Sequence, residues 1–362
     1  MTGSRRLLSP LARRALRRSA ELAILALVIE YVLLPQFIGQ RSQFHRLLAL
    51  NSPWLLVAVA AELASLVSFA LCSRAMLPRH ARPSFPRLVR IDLSTVALSH
   101  SLPGGSTAGT GLGLRLLSEA GVPLPDAAFA KLAQGFSSAV VLQALLLTAL
   151  VATLPTHGGS ELLGAVTVGG VLLIVLVVMA VVLVRWGRDR LAAVVARVCR
   201  WTPFLSDQFG HRLVMSTAAS LDAILADRRR LASAALWSTA NWMMDALALW
   251  ASVRAFGHSL SYLSLMVPFG VASTLAWIPL TPSGLGFVEG ALVPLLIAFG
   301  TPKPAAVLGV VTWRIIAFWL PVPLGAAAYG SLAAFPGRGA VRRTQRAAGA
   351  GRQLVVSPPA SR

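Results

Sequence analysis

Five polar side chains stand inside stretches that are otherwise apolar: Glu289, Arg314, Asp245, Asn241 and Glu62. A charge placed in hydrocarbon costs roughly 2.5–3.5 kcal/mol on insertion scales, so such groups face a partner, water or a substrate path. Glu289 follows the turn-forming run Pro282-Ser283-Gly284-Leu285-Gly286. Arg314 lies about ten residues into the last apolar stretch, about 15 Å deep at a rise of 1.5 Å per residue. Similar depths permit an acid–base pair. Asn241 and Asp245, four apart, share one helical face, and Glu62 occupies the position matching Asn241 in an internal repeat described below. The chemistry open to this set is recognition: Glu289, Arg314 and Asp245 could pass a charged or zwitterionic headgroup along a polar path. The plainer alternative is a structural salt bridge between Glu289 and Arg314.

Two turn-forming runs offer a second device. A half-helix beginning at Ser283 would aim free amide groups at the bilayer centre and accept an anionic phosphate. Pro103-Gly104-Gly105 offers the same earlier in the chain, although tight packing alone also selects glycine.

Other chemistries find no support. There is no phosphate-binding loop, zinc motif or nucleophile–base constellation, and the six histidines are scattered. Cys72 and Cys199 lack metal-ligand spacing and do not suggest a disulfide. The sequence therefore reads as non-enzymatic, with no catalytic residue, no metal and no cofactor.

The elements that must position these groups follow from composition. Of 362 residues, 56% are hydrophobic and 13% charged, and the mean hydropathy is +0.71. Soluble domains carry about a quarter charged residues. Apolar stretches long enough for a hydrocarbon core of roughly 30 Å recur, predicting spans at 20–39, 53–77, 127–154, 161–185, 231–256 and 304–334. Two more, 91–121 and 263–301, are broken by Gly and Pro. The net charge of +20 does not indicate nucleic acid, because arginines cluster between and beyond the spans. Residues 1–19, 78–92, 186–230 and 335–362 are therefore assigned to the cytoplasm, with both termini there; Arg41 and Arg46 are the discordant pair. Segment 186–230 spaces Leu191, Val194, Val195 and Val198 as an interfacial amphipathic helix suited to anionic headgroups, or else is a solvated connector. Residues 335–362 form a basic, disordered tail. The excess of Arg over Lys suggests a GC-rich, bacterial source in whose cytoplasmic membrane the chain sits.

An offset of 179 (282 minus 103) aligns Pro103, Gly105, Gly111, Leu116, Leu117, Gly121, Pro123, Pro125 and Ala127 with Pro282, Gly284, Gly290, Leu295, Leu296, Gly300, Pro302, Pro304 and Ala306. The membrane domain, 20–334, thus divides into repeats of about 20–154 and 161–334. The first holds an odd number of full spans, so the second enters from the opposite side. Broken segments at matching places in inverted halves point to a translocation site. The expected fold is all-α: a polytopic transmembrane bundle with an inverted repeat and two re-entrant helical hairpins, turning at Pro103, Gly104, Gly105 and at Pro282, Ser283, Gly284, Gly286. Kinked, fully spanning helices are the alternative.

The run Pro282-Ser283-Gly284-Leu285-Gly286-Phe287-Val288-Glu289-Gly290, with Arg314-Ile315-Ile316-Ala317-Phe318-Trp319-Leu320-Pro321 downstream, resembles the lysylphosphatidylglycerol synthase transmembrane-region family of flippase-like membrane proteins, of UPF0104 type. Pro103-Gly104-Gly105 fits that family's proline-glycine turn, but Ser106 to Thr110 are neutral where the commoner pattern has an Arg and a Glu. The resemblance implies inverted repeats with re-entrant helices and movement of a phospholipid or related lipid between leaflets. The synthase's soluble aminoacyl-transferase domain has no counterpart in the tail, so its activity is not carried over. The expected partners are membrane lipids, anionic phospholipid first, with a homo-oligomer or a lipid-modifying enzyme left open. Two other functions stay in view: a non-catalytic partner presenting a lipid or polyprenyl substrate to an enzyme, and an ion-coupled transporter of a small solute.

Overall fold

The structure, a computed structural model, describes residues 53–101, 105–157, 227–258, 260–276 and 286–334, with 168, 175, 179 and 187 described singly. The expected spans 20–39 and 161–185, nearly all of segment 186–230, both termini and the turn residues Pro103, Gly104, Pro282, Ser283 and Gly284 lie outside these residues. The described elements are α1 (Pro53–Met76), a 3-10 turn (Arg79–Ala81), α2 (Phe85–Ser101), α3 (Gly105–Glu119), α4 (Leu124–His157), α5 (Arg228–Arg254), α6 (Tyr262–Leu275), α7 (Phe287–Ala298), α8 (Lys303–Arg314), a π turn (Ile315–Trp319) and α9 (Pro321–Ala334). Among the described residues every regular element is helical.

The offset that relates the Pro/Gly motifs also relates the helices: α1 to α5, α2 to α6, α3 to α7, and α4 to α8 with α9. The agreement extends to single hydrogen bonds. After α3, Gly121 takes φ 95° while its amide donates to Ser118 and that of Val122 to Leu117. After α7, Gly300 takes φ 91° while its amide donates to Ile297 and that of Thr301 to Leu296. Both are left-handed helix ends that favour glycine.

Polarity is distributed as a lipid solvent requires. Leu56, Leu63, Val67, Leu132, Phe136, Val140, Val151, Leu236 and Leu324 face outward, while Glu62, Ser65, Ser68, Asp92, Gln134, Gln143, Ser238 and Glu289 are buried. Helices Pro53–Met76, Leu124–Thr153 and Lys303–Ala334 are long and apolar enough to cross a membrane. The expected span 231–256 falls in α5, which matches it in length; Asn241, Asp245 and the arginines at its two ends make it more polar than those three.

Small residues let α1 and α5 approach closely. Asn241 Nδ2 donates to Ser65 Oγ at 2.7 Å, Cys72 Sγ lies 3.3 Å from Ser238 Oγ, and the rings of Trp54 and Trp250 meet edge-on at 5.4 Å. As α1 numbers rise, their α5 partners fall, so the helices are antiparallel. Gly309 brings α8 onto the same α5, where a Cβ would lie 2.7 Å from Val253 Cγ2.

The two halves interlock. α9 packs on α2, with Ser94 Oγ donating to the Gly325 carbonyl and His100 stacked on Phe318 at 4.6 Å. The second part of α4 packs on α6 at the corresponding positions, with Gln143 Nε2 donating to Thr274 Oγ1 at 2.7 Å and Leu146 closing on Gly270. Each half's long apolar stretch therefore packs on the other half's helix that precedes a Pro/Gly run.

Candidate functional site

Gly286 precedes α7 with φ 87°, a conformation that suits glycine alone. Its amide donates to Glu289 Oε2 at 2.7 Å. The acid thus satisfies a free amide at its helix start, half of a capping box, directly after the second Pro/Gly run in sequence. Its other oxygen, Oε1, stands 2.7 Å from Arg314 Nε. That separation is an ion pair's, but the Nε–H does not aim at the oxygen, and Arg314 Nη2 has no hydrogen-bond partner among the described residues. The pair is held by charge, with guanidinium donors to spare.

Arg314 owes its position to a break in its helix. Pro321 has no amide to give the Ala317 carbonyl, and the Leu320 amide reaches back five residues to the Ile315 carbonyl at 3.1 Å. The result is the π turn that directly follows Arg314, a local widening often found at functional sites. The guanidinium packs against Trp313 at 5.0 Å and Phe318 at 5.9 Å. On the opposite face of this cluster, His100 Nδ1 lies 3.0 Å from the Phe318 carbonyl oxygen. The end of α2, beside the first Pro/Gly turn, thereby meets the π turn.

Asp245 joins from α5, accepting a hydrogen bond from Trp313 Nε1 at 2.8 Å. Asn241, one turn earlier, is held by Ser65 instead of reaching Arg314. Glu62, one turn before Ser65 on the antiparallel α1, falls level with Asp245; it is 4% exposed and its Oε2 has no hydrogen-bond partner among the described residues. Of the five side chains singled out in the sequence, Glu289 and Arg314 are in contact. Asp245 joins them through Trp313, Glu62 faces Asp245, and Asn241 is a helix-to-helix tether. Gly105 begins α3 so close to α2 that a Cβ would collide with the Ser99 carbonyl.

Sequence reasoning missed two features. Asp92 on α2 and Lys131 on α4 form a buried ion pair at 2.5 Å, with Lys131 Nζ also donating to Gln134 Oε1. Lys131 stands inside a predicted span, and the rule that flagged Arg314 flags it equally. His100 carried no signal, since its partner is a backbone carbonyl 218 residues away.

The two ends of α1 and α5 differ. At one end Arg82 Nε donates to the Leu77 carbonyl, and Asp227 caps α5 while pairing with Arg230 at 3.3 Å. Partial burial, with Arg230, Arg74 and Arg79 nearby, lowers the Arg82 pKa from its ordinary value. At the other end the Arg254 guanidinium lies 4.9 Å from both Trp54 and Trp250. Tryptophan at a helix end is a usual marker of a membrane–water interface.

Against known proteins, a family model described as the lysylphosphatidylglycerol synthase TM region matches residues 19–325. A UPF0104 membrane protein of Methanothermobacter thermautotrophicus is 26% identical over 195 residues, which is 47% of this chain and 55% of that protein. A UPF0104 membrane protein of Pyrococcus horikoshii is 31% identical over 98 residues, 27% of this chain and 29% of that one. The matched part thus spans about half the length of the first relative and under a third of the second.

Proposed function

The chain belongs to the lysylphosphatidylglycerol synthase TM region family of membrane proteins, and from that premise we propose that it moves a phospholipid or related lipid between the leaflets of the cytoplasmic membrane. The lipid's charged headgroup passes the centre of the protein while its tails stay in the bilayer. The observation that carries this reading is Arg314: a guanidinium held by Glu289 beside a Pro/Gly turn, with an unpartnered Nη2. Arginine suits phosphate because its planar fork can bind two oxygens at once. An anionic headgroup is the matching ligand.

The architecture in this reading is a multi-pass inverted repeat with both termini cytoplasmic. Its support is the antiparallel course of the corresponding helices α1 and α5 and the exchanged packing of α4 and α9. The segments α2–α3 and α6–α7 are re-entrant hairpins, the first entering from the cytoplasm and the second from the exterior. In this reading no covalent bond is made or broken, so the protein acts as a transporter and not as an enzyme. The arginine-rich composition still argues for a GC-rich bacterial source, alongside relatives from archaea.

The test is a leaflet-accessibility assay on the full chain in vesicles of phosphatidylethanolamine and phosphatidylglycerol, with labelled phosphatidylglycerol read by an external quencher. Losing a hydrogen bond to a charged group is worth about 1.5–3 kcal/mol, so Arg314→Met, which removes the headgroup's donor, should slow transfer about tenfold or more, and Glu289→Gln, which removes the charge that holds Arg314, should slow it too. Rates equal to the native chain's would remove both residues from the path. The wording of the family's description, a membrane region of a synthase, favours one second reading: a membrane partner that presents lipid to a separate enzyme. Co-purification with such an enzyme, without transfer by the chain alone, would support it.

A further inference from the structure

The centre of the described bundle carries more acid than base. Asp245 and Glu289 lie by the Arg314 guanidinium, which stands at ion-pair distance from Glu289 and packs on Trp313, the partner of Asp245, while Glu62 lies level with Asp245 on α1. Among the described residues, no other element packed against α1 supplies a spare cation. From α2 and α4 come Asp92 and Lys131, which neutralise each other. On α6 the titratable group is Tyr262, whose hydroxyl donates to the Met243 carbonyl at 2.6 Å. On α5, neutral Asn241 is already bonded to Ser65.

Register places the two remaining acids opposite each other. Ser65 meets Asn241 across the antiparallel α1 and α5, so Glu62, three residues earlier, faces Asp245, four residues later. Both lie one helical turn from the Ser65–Asn241 contact, on the facing sides of α1 and α5. Asp245 has one oxygen engaged by Trp313 Nε1, leaving the second to accept. Glu62 is 4% exposed and presents an oxygen without a donor. Two ionised carboxylates cannot share such a place without a counter-charge, because desolvation and mutual repulsion act together.

We propose that Glu62 and Asp245 form a proton-binding site, in which one proton sits on the Glu62 carboxyl and is donated to the Asp245 carboxylate, and that its uptake and release couple lipid translocation to a proton gradient. This rests on the transport reading above and supplies its energy source. The proton enters from water on one face, bridges α1 and α5 while they are packed, and leaves to the other face when they part, with no bond other than O–H made or broken. A proton fits better than a metal ion, since hard cations take about six or more oxygen ligands, and here one oxygen of Asp245 and the Ser65 hydroxyl are already committed.

Two measurements separate the site from the transport. In the first, infrared difference spectra of the full chain in phosphatidylethanolamine–phosphatidylglycerol vesicles are recorded as pH is raised. The native protein should show the carbonyl stretch of a protonated, buried carboxyl group that disappears on titration. It should be absent in Glu62→Gln and displaced in Asp245→Asn. A spectrum with no titrating band, or one unchanged in both variants, overturns the proposal. A band removed by sodium at constant pH overturns it in favour of a sodium site. In the second, labelled phosphatidylglycerol transfer is followed with an imposed pH gradient. The native rate should change about tenfold or more with the gradient, and any rate retained by Glu62→Gln should not respond. Transfer that ignores the gradient in the native chain overturns the coupling. Absence of transfer in the native chain, with the titrating band present, counts against the transport reading and leaves the proton site standing.

Discussion

At the scale of single residues, the Glu289–Arg314 pair poses a choice between a lock and a working site. Removing one partner of a buried ion pair strands the other charge and costs about 3–5 kcal/mol, whereas replacing both with apolar or neutral groups is often near neutral. The single variants Glu289→Gln and Arg314→Met should therefore lower the thermal unfolding midpoint in detergent. The double variant should recover most of that loss while translocation stays low. Recovery of both stability and transport in the double variant would make the pair a lock only. The pair itself was legible from depth along the sequence, because an acid beside a Pro/Gly turn and a base midway in a span must each find something. The bond from Trp313 to Asp245 was not legible: it joins residues 68 apart, and nothing in the spacing of either helix selects it.

At the scale of elements, the two halves follow one plan but differ where Arg314 stands. By the 179-residue offset Arg314 corresponds to Gly135, Glu289 to Thr110 and Pro321 to Leu142. The first half's long helix, α4, runs unbroken through the place where the second half opens into the π turn. Pro321→Ala would restore an amide at that point and allow ordinary α-helical bonding. The variant should unfold at the same or a higher temperature, yet transfer lipid more slowly, because Arg314 would rotate away from Glu289. Unaltered transfer alongside unaltered or raised stability would show that the widened turn does not set the position of the base. The proline was visible in the sequence, but its effect was not, since a proline in a helix can equally well kink it. The spacing of Gly105, Gly109 and Gly113 was likewise visible. Its meaning as a close-packing stripe appears only once α3 is laid on Thr95 and Ser99 of α2.

At the scale of the whole molecule, helix identity and order were legible because the apolar runs and the repeated Pro/Gly signals are local. The exchange of α4 and α9 between halves was not, because contact between Ser94 and Gly325 or Gln143 and Thr274 leaves no periodic trace in the chain. This exchange bears on how the protein could move. α2 and α6 are each packed by a helix from the other half, so in the transport reading a displacement of one half would carry the other's Pro/Gly segment with it as access alternates about the central site. The mechanism needs α2–α3 and α6–α7 to begin and end on the same face, but opposite faces from each other. Ser84 and Pro125 flank the first pair, Ser261 and Lys303 the second, and all four are exposed. In a chain with Cys72 and Cys199 replaced by serine, single cysteines at 84 and 125 should react with an impermeant maleimide only from the cytoplasmic side. Those at 261 and 303 should react only from the exterior. If 84 and 125 label from opposite sides, the broken segment is a kinked spanning helix. The two halves would then no longer be inverted about the Glu289–Arg314 centre, and the path proposed for the headgroup would lose its entrance.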